Sequence, residues 1–224
     1  MKYRAEISTK EQLSEALEIQ DFEYIYAPME FLGADTPEKQ RIIAIPPVFL
    51  GGNEQKIAEQ LCNLKQIGFK GALAHTLGHI ELIKNAGLSA HGGFRLNITN
   101  SLALEKHTEL GLKDAISSVE AQVSGTGIIA YGKIPLMLLR RCPVKDDKPC
   151  GKSGCQVLTD RLGNKLQTIC RYGEVEVLNP DPIILSDKKL TANFAVLKFS
   201  PGESVTVKPS VKKFTRGLYF KKVK

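Results

Sequence analysis

The chain contains no apolar run of about 18 residues or more, the length a membrane-spanning helix needs; its longest apolar stretches are strand-sized. Its first residues, MKYRAEISTKEQ, bring in acids early and lack both an apolar core and a small-residue cleavage pattern. No secretory signal is therefore read, and a cytoplasmic location is expected. There is no Gly-rich phosphate loop, no GxSxG and no HExxH, so proteolysis finds nothing here beyond scattered Ser, His and Asp. Five cysteines cannot all pair, and a reducing compartment disfavours a disulfide framework. Metal ligation or core packing must account for them. Acids are missing from residues 208–224, a stretch that holds seven of the 31 Lys and Arg. The rest of the chain is balanced at 24 basic and 24 acidic residues, so the net charge of +7 is a local property of the tail.

At 224 residues the chain is long enough to bury a core without staples. Short β-branched or apolar runs alternate with helical patterns up to about residue 135. Strands are expected at Tyr3–Ile7, Tyr24–Ala27, Ile42–Ile45, Gly71–Ala74, Leu88–His91, Ala115–Val119 and Gly127–Tyr131. Thr9 and Gln12 form a capping-box pattern ahead of Leu13, Ala16 and Leu17. Ile57, Leu61, Leu64 and Ile67 recur at helical spacing. Thr99 or Asn100 can cap a segment that ends at Gly111. This alternation predicts an α/β fold: a small or incomplete TIM-like (β/α) barrel over residues 1–135, preferred to an open doubly wound sheet. A four-cysteine metal or cluster subdomain is expected over 136–180, and a short β-rich basic tail, with strands in PIILSD, NFAVLKF and SVTVKPS, over 181–224.

Cys142, Cys150, Cys155 and Cys170 follow the spacing Cys-x7-Cys-x4-Cys-x14-Cys in a turn-rich stretch. Thiolates are soft ligands suited to iron-sulfur clusters and to zinc, and four of them close a coordination shell unaided. Gly151 and Gly154 allow tight bends beside Cys155. Arg140, Arg141, Lys145, Lys148, Lys152, Arg161 and Arg171 would offset thiolate charge. Structural zinc usually shows two tight Cys pairs, and only 150/155 is close, so zinc is the second reading and unligated or disulfide-forming cysteine the third. Cys62, flanking the apolar face of a predicted helix, reads as a small core hydrophobe.

Several runs together resemble the peptidase U32 (collagenase-like) family, specifically the second half of its long members. They are Tyr131-Gly-Lys-Ile-Pro-Leu-Met, Arg141-Cys142-Pro, Cys150, Gly154-Cys155, Leu158-Thr-Asp160-Arg161-Leu-Gly163, Cys170-Arg171, Asn179 and Thr215-Arg216-Gly217-Leu-Tyr219. Phe94-Arg-Leu-Asn97-Ile-Thr-Asn100-Ser and Ser118-Val-Glu120 add weaker matches, and the likeness spans about residues 60–224. The resemblance implies a TIM-barrel-like fold and a 4Fe-4S cluster on Cys142, Cys150, Cys155 and Cys170. It also implies membership of a group named for proteolysis whose better-understood members hydroxylate RNA pyrimidines or a ubiquinone precursor without oxygen. The RNA-modifying members are linked to prephenate, so a prephenate-like oxygen donor and RNA are the implied partners. Long members carry a further N-terminal region that this sequence lacks, which makes a fragment, or one component with a missing half or partner subunit, the expectation. The family name keeps a collagenase-like peptidase as an alternative, and a non-catalytic module built on structural zinc is another.

If the barrel forms, residues following its strands converge on one face, where such folds place chemistry. These are Glu30, His75, His91, Arg95, Asn97, Glu120 and the segment from Tyr131 to Cys142, which would set the cluster over the mouth. Arg95, Arg140 and Arg141 could grip a carboxylate or phosphate, or simply solvate the rim. His75 and His79 stand four apart, but a strand and Gly78 intervene, so a structural role is read for them. In the tail, Lys212, Lys213, Arg216, Lys221, Lys222 and Lys224 interleave with Phe214, Tyr219 and Phe220. That mixture suits RNA, with a merely solvated terminus as the alternative.

Overall fold

The computed structural model describes residues 1–143, 157–185 and 191–217. Strand β1 (Lys2–Glu6) leads into helix α1 (Lys10–Glu18), whose start is fixed by a complete capping box between Thr9 and Gln12. Strands β2 (Phe22–Pro28) and β3 (Ile42–Ile45) are joined by two 3-10 turns. Then α2 (Glu54–Gln66), β4 (Gly71–Ala74), α3 (Leu77–Asn85), β5 (Ser89–Gly92), α4 (Ser101–Glu109) and β6 (Leu112–Ala115) alternate. Helix α4 begins where the Asn100 side chain accepts a bond from Ala103 N–H. It ends before Gly111, at φ +108°, where a side chain would be strained.

After β7 (Ile128–Gly132) come β8 (Pro135–Leu139), β9 (Val157–Thr159), β10 (Lys165–Arg171), β11 (Glu174–Leu178), β12 (Ile183–Ile184) and β13 (Phe194–Lys198). Nine strands form one sheet in the order β12-β7-β13-β1-β2-β3-β4-β5-β6, parallel throughout except for β12. The sheet curls until β6 approaches β7. There a parallel bridge joins Ile116 to Gly127, with Gly127 N–H donating to Ala115 O and Ser117 N–H donating to Gly127 O. This agrees with the expected incomplete barrel.

Because side chains alternate along a strand, each strand serves two cores. Ala5, Ile25, Ala27, Ile42, Ala44, Ala72 and Ala90 pack outward against the helices, joined by Leu13, Ile57, Leu61, Leu64, Ile80 and Ile83. Tyr26, Ile43, Ile45, Leu73, Ile116, Ile129, Phe194 and Val196 fill the inside of the curl. At Gly127 a Cβ would overlap the Phe194 ring, so the join between β6 and β7 requires glycine. Gly127→Ala is expected to lower stability by about 1–3 kcal/mol by overpacking, measured by urea denaturation; an unchanged midpoint would show that the ring has room to move.

A separate antiparallel sheet, β8-β11-β10-β9, stands between β7 and β12 in the chain. The structure differs from the expected one at four places. The sixth strand is Leu112–Ala115, displaced from the expected Ala115–Val119, because its pairing with β5 decides the register. NFAVLKF, expected as a strand of the tail, instead lies in the main sheet: β13 sits between β7 and β1, buried on both faces. SVTVKPS forms no strand. Cys62 is exposed, one residue past buried Leu61 and so turned about 100° toward solvent. Among the described residues no helix is long and apolar enough to cross a membrane.

Candidate functional site

The carboxyl ends of β1, β3, β4, β5 and β13 surround the mouth of the curl, and the β10–β11 hairpin lies across it. Glu6 at the end of β1 and Lys198 at the end of β13 form a buried ion pair, their side chains only 11% and 8% exposed. From the turn after β5, Arg95 Nη2 reaches Glu176 Oε1 of the hairpin at 2.5 Å. Burial alone would raise the Glu176 carboxyl, but Lys198 and Arg95 hold it below the usual carboxylate range. His75, just past β4, is held neutral, its pKa pushed well below the ordinary value by burial and then by His79, Arg95 and Lys198. Its Nδ1 and the Nε of Arg95 are buried without a hydrogen-bond partner in the protein.

The hairpin is fastened by further polar contacts. Glu174 accepts bonds from Val48 N–H at 2.9 Å and Phe49 N–H at 2.6 Å. Tyr172 Oη donates to Ile45 O at 3.1 Å and accepts from Glu30 N–H at 3.1 Å. Arg171 binds Ser8 O at 3.0 Å and lies 3.4 Å from Glu30. Tyr172 sits at φ +54°, a costly backbone for a residue with a side chain, and is followed by Gly173 at φ +75° to close the turn. About 40 Å3 of space remains beneath the hairpin, room for a few waters.

Of the residues expected at the mouth, His75 and Arg95 line it and Glu30 stands at its rim through Arg171. Asn97, at φ +53°, and Glu120 are exposed and are not among the residues that line the mouth. His91 is at the opposite end: its Nδ1 meets Asp114 Oδ1 at 2.8 Å, beside Tyr24. It lies within the strand, in phase with Arg4 and Asp114 at the amino ends, and not past the strand's end. His79 bonds Thr76 Oγ1 at 2.8 Å and Pro47 O at 2.9 Å, so both ring nitrogens are occupied in holding α3 to the loop after β3. That is the structural role read for it, and it leaves the Thr76–His79 pair no open nitrogen to act as a base.

Cys142 is half-buried and Cys170 exposed. Cys150 and Cys155 lie outside the described residues. Cys170 pairs across to Val175, which pairs in turn with Leu139, three residues before Cys142. The end of β8, the end of β10 and the start of β9 therefore share one end of the small sheet. Cys170 alternates with Ile169 and Arg171, which line the mouth, and so projects from the sheet's other face. A group on this sulfur sits behind the hairpin, not directly over the mouth as expected. Within the DRLGN turn, Asp160 accepts bonds from Leu162 N–H, Asn164 N–H and Asn164 Nδ2, which hold its carboxyl low and close the β9–β10 turn.

Arg140 and Arg141 are exposed, Arg140 stacking over Phe49. In the tail, Arg216 donates to Ile184 O at 2.5 Å and lies over Phe214, Lys213 reaches Asp181 at 3.2 Å, and Lys212 is exposed. The chain is docked along β12 as far as Gly217, while Tyr219, Lys221 and Lys222 fall outside the described residues. Among the described residues no group of three or more His, Cys, Asp and Glu is placed to hold a metal. No protein-family model, curated protein or solved structure matches the chain.

Proposed function

We propose that the chain is a U32-type iron-sulfur component of an oxygen-independent RNA pyrimidine hydroxylase. Cys142, Cys150, Cys155 and Cys170 ligate a 4Fe-4S cluster, and the mouth of a TIM-like barrel receives the reacting group. The observation that carries this reading is topological: Cys142, Cys170 and both flanks of segment 144–156 converge on one end of the small sheet, whose other face covers a polar barrel mouth. Ligands drawn from the ends of neighbouring strands and a connecting loop are what a thiolate cluster requires. When bound, the cluster supplies redox or Lewis-acid chemistry. This chain's own residues bind and orient: Arg95, Arg171 and Lys198 attract a carboxylate-bearing oxygen donor, while neutral His75 offers an uncharged ring nitrogen beside them. The hairpin limits the water at the same point to the few that about 40 Å3 can hold.

Anaerobic purification followed by iron and sulfide assays tests the reading. A brown protein with absorbance near ~400 nm, lost in both Cys142→Ala and Cys170→Ala, is the expected result. A colourless protein holding stoichiometric zinc, with those variants merely less stable, would replace the cluster with a structural metal and leave the catalytic reading without support.

A further inference from the structure

Beside the mouth, a cleft of about 360 Å3 runs between the loop leading into α2 and the small sheet. Tyr172 and Glu174 line both the cleft and the mouth, so the two spaces adjoin. The Arg140 guanidinium stands 4.7 Å from the centre of the Phe49 ring, a cation–π contact that holds an otherwise long, exposed side chain in place. Gly51 makes this position available: a Cβ there would come within 2.5 Å of Arg140 Nη2. Across the cleft are Lys56 and Gln60, exposed on the first turns of α2, and Asn53, whose side chain makes no capping bond to the helix it precedes. The acid in the lining, Glu174, is already spent on the Val48 and Phe49 N–H groups. The cleft thus presents two cations, a stacking surface and uncommitted amide side chains, with its carboxylate turned to the backbone.

We propose that this cleft binds a nucleoside phosphate unit of single-stranded RNA. The base stacks on the outer face of Arg140 over Phe49, the phosphate meets Lys56, and Asn53 and Gln60 supply hydrogen bonds to sugar or base. Guanidinium planes and aromatic rings are the surfaces on which unpaired bases stack, and a lysine ammonium serves as a point charge for phosphate. The site rests on the RNA reading above and adds to it the place where a strand is gripped beside the mouth.

The test is equilibrium binding of the full chain, by fluorescence anisotropy, to a labelled eight-residue oligouridylate, with unlabelled UMP and inorganic phosphate as competitors. Arg140→Ala and Lys56→Ala are each expected to weaken oligouridylate binding about tenfold, with Lys56→Ala lowering the salt slope by about one. Gly51→Ala, which displaces Arg140 without removing it, is expected to weaken binding less than Arg140→Ala. UMP should compete better than phosphate alone, because phosphate lacks the stacking partner. A double-stranded RNA of the same length should bind less well, since its bases are not free to stack. Unchanged affinity in both Arg140→Ala and Lys56→Ala overturns the cleft. If affinity then falls on trimming residues 208–224, RNA binding stands but belongs to the tail. Absence of binding by the wild-type chain overturns the cleft as well, while the iron and sulfide assay decides the cluster independently.

Discussion

Lys198→Ala is expected to cost about 3–5 kcal/mol of stability, the range for removing one partner of a buried ion pair. The Glu6 carboxylate would be left without its ammonium in a site where both side chains are about nine-tenths buried. The loss would spread, because the charge of Lys198, with Arg95, also holds Glu176 ionised, and it adds to the burial that keeps His75 neutral. Replacing both partners, Lys198→Met with Glu6→Gln, should restore much of the stability, since no uncompensated charge remains. Denaturation midpoints of the single and double variants check this. If the proposed hydroxylation is found, recovery of stability without recovery of that activity would identify Lys198 as a group the mouth needs for more than folding. A single variant as stable as wild type would mean that water already reaches the pair.

Arg4→Ala is expected to destabilise by a similar amount at the other end of the curl. Arg4 is 4% exposed and touches five neighbours. It bonds Glu23 at 3.0 Å, the Tyr26 hydroxyl at 2.8 Å and Asp114 at 2.9 Å, and lies against the Tyr24 and Phe194 rings. The same cluster sets a pH dependence. Burial would raise the Asp114 carboxyl, but His91 and Arg4 outweigh it and bring the value down to about 2. A lowered carboxylate contributes its stability fully above the unfolded value near about 4 and loses it as pH falls toward the folded value. Wild-type stability should therefore drop by about 2 kcal/mol from this group between about pH 5 and pH 2. Asp114→Asn should flatten that part of the curve. Urea midpoints measured across the range decide it, and parallel curves for the two proteins would refute it.

Much of the alternation was legible from residue pattern. Thr9 with Gln12, Asn100 and Gly111 mark helix ends by local hydrogen bonding and backbone freedom, which need no distant partner to act. Ile57, Leu61 and Leu64 mark a buried helical face for the same reason. The mouth is only partly visible in the sequence. His75 and Arg95 follow strands recognisable by composition, whereas Glu6 and Lys198 are the last residues of theirs. A signal was present: in YRAEI and FAVLKF a charge occupies the phase that otherwise carries inward residues, and a charge at such a position must find a partner across the core. His91 lies within β5 (Ser89–Gly92), one residue short of its end, and the height of its ring along the curl has no mark in the strand's composition.

What the sequence determined by itself is local: helix caps, the periodicity of α2, the cysteine spacing and a tail whose positive charge has no nearby acid. Only the tertiary structure decided that Phe194–Lys198 closes the sheet between β7 and β1. It alone laid the hairpin carrying Glu174 and Glu176 over the mouth and left the Cys170 sulfur on the opposite face. Parallel pairing between strands nearly 200 residues apart has no local signature, because its hydrogen bonds and buried charges are satisfied only once the whole curl has formed.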